Sequence, residues 1–177
     1  MSFEKFTDSL PGFARDIRIN LGSVLKQPEL TAEQLWGTAV ASALTTRNQP
    51  AIRAIEDEAA KFVSAQTIEA ARTAAAVMAM NNVYYRFLHL VESPERYGNI
   101  PARLRMQTLR THGADQTDFE LWCTAVSAIN NCPACVASHE RVVREKGLTE
   151  EQVAAAVRIA AVIQAAATAM DQQVTQS

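Results

Sequence analysis

Six consecutive residues, Leu35-Trp36-Gly37-Thr38-Ala39-Val40, return as Leu121-Trp122-Cys123-Thr124-Ala125-Val126, at an offset of 86. The same offset carries Thr31 onto Thr117, Gln34 onto Glu120, and Arg72-Thr-Ala-Ala75 onto Arg158-Ile-Ala-Ala161. One short match is within the reach of chance. A register held without a gap over about 45 positions points to a duplicated unit. The expected organisation is one domain, residues 1–177, with repeats over roughly 31–92 and 117–171.

Each unit reads as helical. Alanine, the best helix former, occurs 31 times, and no convincing period-two strand appears. Thr31-Ala-Glu-Gln34, Thr117-Asp-Phe-Glu120 and Thr149-Glu-Glu-Gln152 have the form of capping boxes and predict three helix starts. The first helix should run to about Thr46 and the second to about Asn130. Pro11, Pro50 and Pro133 suit the opening turns of others, and Gly147 suits a helix end. A long helix is expected from Thr67 to about Val91, followed by a loop over Ser93–Pro101. The fold class is all-α: a helical bundle built on a duplicated three-helix unit.

Composition narrows the function. With 17 basic and 19 acidic residues and no basic stripe, nucleic acid is not an expected partner. The most apolar stretch, Ala154–Met170, is interrupted by Arg158 and Gln164, so no membrane span is expected. The N-terminal residues lack the apolar core of a signal peptide, which gives a cytoplasmic expectation. Three cysteines without an export signal do not form a structural disulfide set.

Duplication supplies an internal control: features of both copies serve folding, and features of one copy are candidates for chemistry. Cys132 and Cys135 correspond to Thr46 and Gln49, His139 to Arg53, and Glu120 to Gln34. Cys132-Pro-Ala-Cys135 is a C-x-x-C, with His139 four residues further on. If a helix begins near Cys132, the three side chains share a face, and a Cys132–Cys135 disulfide is feasible. A helix N-terminus favours thiolate, and His139 can take the Cys135 proton. Glu120 orients that imidazole if its helix lies alongside; alternatively it only completes a capping box. A lone C-x-x-C is also half of a zinc site, with only His89 and His112 left to complete it. Cys123, counterpart of Gly37, reads as a small buried residue, and Met78 and Met80 as core.

The segment Phe119-Glu-Leu-Trp-Cys-Thr-Ala-Val-Ser-Ala-Ile-Asn-Asn-Cys-Pro-Ala-Cys-Val-Ala-Ser-His-Glu140 closely resembles the alkyl hydroperoxidase D (AhpD) family of carboxymuconolactone-decarboxylase-like proteins. The likeness extends through Leu35–Thr38 and Met80-Asn-Asn-Val-Tyr-Tyr-Arg86 to nearly the whole chain. It implies a duplicated all-helical fold, a homo-oligomer, often a trimer, and reduction of alkyl hydroperoxides. It further implies no bound cofactor or metal, reduction by the dihydrolipoyl group of an acyltransferase, and transfer of electrons to a peroxiredoxin. By motif position Cys135 matches the peroxide-reacting thiol, His139 and Glu120 its proton relay, and Cys132 the more exposed thiol that exchanges with partners. One departure is Ala134, where the best-known members carry His. Alternatives are a thiol adaptor without useful peroxidase activity and a decarboxylase using His139 or Glu120 as acid–base.

Overall fold

A computed structural model describes residues 1–173; the last four positions of the expected domain, 174–177, lie outside the described residues. Among the described residues there is no strand. Ten α-helices follow in order among them. They are α1 Phe3–Asp8, α2 Arg15–Val24, α3 Ala32–Thr46, α4 Gln49–Ala59 and α5 Ala65–Leu90. After these come α6 Pro94–Gly98, α7 Thr108–Thr111, α8 Gln116–Ile129, α9 Pro133–Glu145 and α10 Glu150–Asp171. A 3-10 turn, Gly12–Ala14, opens behind Pro11 and leads into α2.

The local signals act where the sequence places them. Thr31 accepts from the Gln34 N–H while the Gln34 amide accepts from Thr31, and Thr149 and Gln152 repeat the arrangement at α10. Pro50 and Pro133 sit in the first turns of α4 and α9, where the missing N–H costs nothing. Gly147 follows α9 at φ +96°, a backbone conformation that suits a residue without Cβ.

Two expectations need correction. The box at Thr117 does not form. Asp115 caps α8 instead, its Oδ1 accepting from the N–H groups of Thr117 (2.8 Å) and Asp118 (3.1 Å), so Thr117 lies inside the helix. An acceptor slightly further upstream won the competition for the N–H groups of the first turn. The segment Ser93–Pro101 is not wholly loop, because Pro94 starts one helical turn, α6.

The core lies where α3, α8 and α10 pack together, with α5 across α3 and α8. Its tightest point joins the two recurrent sequence words. Trp122 lies so close to Gly37 that a Cβ there would meet the indole at 2.2–2.5 Å. Beside it, Gln34 Nε2 donates to Asp118 Oδ1 (2.9 Å), tying the start of α3 to α8. Cys123, the counterpart of Gly37, is fully buried, as is Met78. Among the described residues α10 is the one helix long and apolar enough to cross a membrane. It serves instead as a core helix, burying Ala155, Ile159, Ile163 and Ala167, while Arg158 on its outer side donates to Gln27 (2.7 Å).

Gly37→Ala is expected to destabilise the protein by about 1–3 kcal/mol, the cost of overpacking a dense core. Gly22→Ala, in α2 with nothing within 4 Å of the added carbon, should be neutral or stabilising. Thermal unfolding of both variants checks the contrast; equal midpoints would contradict the Trp122 contact.

Candidate functional site

Chemistry concentrates where α8 turns into α9. Asn130 ends α8, Asn131 takes the left-handed conformation (φ 54°), and the Cys132 N–H donates back to Ser127 (3.1 Å). This turn reverses the chain and lays α9 back along α8. It is held from α5. Arg86 Nη1 donates to the Asn130 carbonyl (2.8 Å), Asn130 Nδ2 to Asn82 Oδ1 (2.9 Å), and Asn82 Nδ2 to Ser127 Oγ (2.9 Å). A buried amide network with its main partners present fixes one geometry. Sequence reasoning left these positioning residues unassigned, because nothing local marks Asn82 and Arg86 as neighbours of residues more than forty positions away.

Cys132 and Cys135 are joined in a disulfide, with Cα atoms 5.3 Å apart. Cys132 is the N-cap of α9 (φ −110°, ψ 92°), outside the helix proper, so helical spacing applies only from Pro133 onward. The Cys132 side chain makes no capping hydrogen bond to α9. The early N–H groups of the first turn are therefore left uncapped by it, which puts the positive end of α9 at this site. Burial differs from expectation. Cys132, expected to be the more exposed sulfur, is 0% exposed against 6% for Cys135. Cys132 does line a shallow depression of about 400 Å³, with Asn131, Val136 and Glu140. Ala134 faces solvent.

His139 follows Cys135 by one turn of α9, and its Nδ1 meets Glu120 Oε2 at 2.5 Å across the α8–α9 seam. Facing a carboxylate, Nδ1 is the donor of this bond, so whenever the ring is neutral Nε2 is the nitrogen without a proton. Burial pushes the Glu120 carboxyl up, but the hydrogen bond and charge of His139, with a bond from Gln116, outweigh it and hold the group below its ordinary value. Glu120 plays no capping part; its counterpart Gln34 does. Cys123 stays a neutral thiol, since burial, with the Glu120 charge adding, pushes its pKa well up.

The other histidines divide. His89 is exposed at the end of α5, while His112 packs on Phe119 and bonds to Gln116. Among the described residues no group of three or more His, Cys, Asp or Glu side chains is placed to hold a metal ion. A larger groove of about 590 Å³, between α3 and α5, is bordered by Arg47, Arg72 and Arg86, and no Cys, His or carboxylate among the described residues lines it.

Residues 95–173 match the model of the carboxymuconolactone decarboxylase family. The chain is 52% identical over 171 residues to a Solibacter usitatus protein named alkyl hydroperoxide reductase AhpD, covering 97% of this chain and 96% of that one. A protein of the same name from Acidobacterium capsulatum is 52% identical, covering 97% and 93%. One from Frankia alni is 46% identical, covering 100% and 95%.

Because the Glu120 pKa is lowered by folding, its stabilising contribution is present above the unfolded value and lost as pH falls through the folded one. Glu120→Gln should therefore be destabilising at neutral pH and nearly neutral in acid, below the ordinary glutamate range. Urea unfolding of both proteins at each pH measures this; an equal loss at both would contradict a charge-dependent Glu120–His139 bond.

Proposed function

The chain belongs to the AhpD alkyl hydroperoxide reductases, within the carboxymuconolactone-decarboxylase-like superfamily, and from that premise we propose a dithiol peroxidase cycle at Cys132 and Cys135. The observation that carries this reading is the alignment of a C-x-x-C pair at an uncapped helix start with a His139–Glu120 pair one turn away.

In the reduced protein His139 Nε2 takes the Cys135 proton, and the thiolate attacks the terminal oxygen of an alkyl hydroperoxide. The O–O bond breaks, the alkoxide leaves and takes the proton back from His139, and Cys135 becomes a sulfenic acid. Cys132 displaces water from it, forming the disulfide. A dithiol of the dihydrolipoyl type then attacks Cys132 from the adjoining depression and leaves as its own disulfide, restoring both thiols. Electrons can pass by the same exchange to a peroxiredoxin. Burial of both sulfurs suits a small peroxide and an extended thiol arm better than a broad protein surface. No cofactor is needed within the chain, and the cytoplasm, where thiols are kept reduced, is its proposed setting.

Homo-oligomerisation is part of the proposal. Val83, Phe87 and Leu90 recur along one face of α5 and stand exposed, joined by Tyr97 and Ile100. A face of this kind fits a second copy better than water. Sedimentation of the native protein and of Leu90→Glu tests it: the native chain should run as an oligomer, a trimer by family expectation, and the variant should dissociate.

Cys135→Ser should abolish hydroperoxide consumption, and Cys132→Ser should permit one turnover and then stall at the sulfenic acid. Steady-state and single-turnover assays with a dihydrolipoyl donor check both. Full turnover by Cys135→Ser would sink the assignment. Full turnover by Cys132→Ser would contradict the disulfide step, since the donor dithiol would then be reducing the Cys135 sulfenic acid directly.

A further inference from the structure

The hydrogen bonds around Glu120 continue beyond His139. Glu120 Oε1 accepts from Gln116 Nε2 (2.9 Å), one turn back on α8. The oxygen of that same amide lies 3.0 Å from His112 Nε2. His112 Nδ1 accepts from the backbone N–H of Ala114 (3.2 Å). A ring nitrogen that accepts carries no proton in the neutral imidazole, so the His112 proton sits on Nε2 and is donated to Gln116. The Gln116 amide then has one favoured orientation, with its oxygen toward His112 and its NH₂ toward Glu120. Both oxygens of the Glu120 carboxylate are engaged, Oε1 by Gln116 and Oε2 by His139 Nδ1–H.

His112 is held independently of this row. Its ring stacks on buried Phe119, with centroids 3.8 Å apart and planes within 10°. The next residue, Gly113, takes φ +78°, and its carbonyl accepts from Gln66 Nε2 of α5 at 2.5 Å. At that φ any side chain on residue 113 would be strained, so the turn that presents His112 depends on glycine. The imidazole is therefore anchored before it touches Gln116, and can impose an orientation on the amide.

We propose that His112 and Gln116 are positioning residues of the redox site, fixing the plane of the Glu120 carboxylate so that it holds His139 in the Nδ1–H tautomer. The inference rests on the reading of Glu120 and His139 as the proton carriers of Cys135. A carboxylate held at one oxygen can turn about its broad terminal torsion, whereas one held at both cannot. Outer partners of this kind commonly set the orientation and basicity of a working imidazole. The bond from Gln116 also acts with His139 to keep Glu120 ionised against burial. In the first repeat the position 86 before Gln116 is Leu30, a buried apolar side chain, so the row belongs to the thiol-bearing half alone.

Long-range proton–nitrogen NMR of the reduced full-length protein reads the tautomer of each of its three histidines directly. Gln116→Leu removes the amide and keeps a helix-forming side chain; His112→Phe keeps a ring over Phe119 and removes the donor. Native His139 is expected in the Nδ1–H form at neutral pH. In Gln116→Leu the ratio of Nε2–H to Nδ1–H forms should rise about fivefold, the effect of losing one modest hydrogen bond. His112→Phe should move it less in the same direction, and the double variant should match Gln116→Leu, because His112 acts through the amide. An unmoved His139 tautomer in Gln116→Leu overturns the proposal, and so does a His112→Phe effect that adds in full. Cys135-dependent hydroperoxide consumption, assayed on the same samples, tests the underlying reading separately. Its absence from the native protein would refute the peroxidase cycle while the spectra still decide the positioning row.

Discussion

The site depends first on how closely two helices approach. Trp122 of α8 presses onto Gly37 of α3 at a distance that admits no side chain at residue 37. That contact sets α8 in the core, with Leu121, Trp122, Cys123 and Val126 fully buried, and turns its other side toward α9. Because α8 is fixed, the turn after Asn130 has a defined starting point, and α9 returns along a defined face. The Glu120–His139 bond is the downstream result of that rigid placement, not the cause of it.

A second constraint is the chain reversal itself. The left-handed Asn131, the Cys132 bond to Ser127, and the grip of Arg86 and Asn82 from α5 leave the C-x-x-C segment little freedom. Rigid elements hold reactive groups more accurately than free loops. The same reversal buries Cys132 and places it at the edge of a shallow depression.

Much of the fold was legible because its signals are local. Thr31 with Gln34, Thr149 with Gln152, Pro133 and Gly147 each act within one turn of helix, and each acts as the sequence suggests. The failures came where two local signals competed or where the partner was remote. Asp115 displaced Thr117 as the cap of α8 because its carboxylate reaches two N–H groups at once. Two contacts among the candidate residues form, Cys132 with Cys135 and Glu120 with His139, the second across the short turn that joins α8 to α9. The exposure assigned to Cys132 came from motif position, and neither motif nor spacing encodes what covers a residue. Gln116 stands four residues before Glu120, a spacing visible in the sequence, yet only the His112 turn and its Gln66 anchor show which way its amide points.

The cycle requires that a peroxide oxidise one specific pair of thiols. Reduced protein is exposed to a stoichiometric alkyl hydroperoxide, quenched with an alkylating agent, and read by intact mass and peptide mapping. Loss of alkylation at Cys132 and Cys135 together, with Cys123 unchanged in its buried site, is the predicted result. Three thiols still free after prolonged exposure would contradict it.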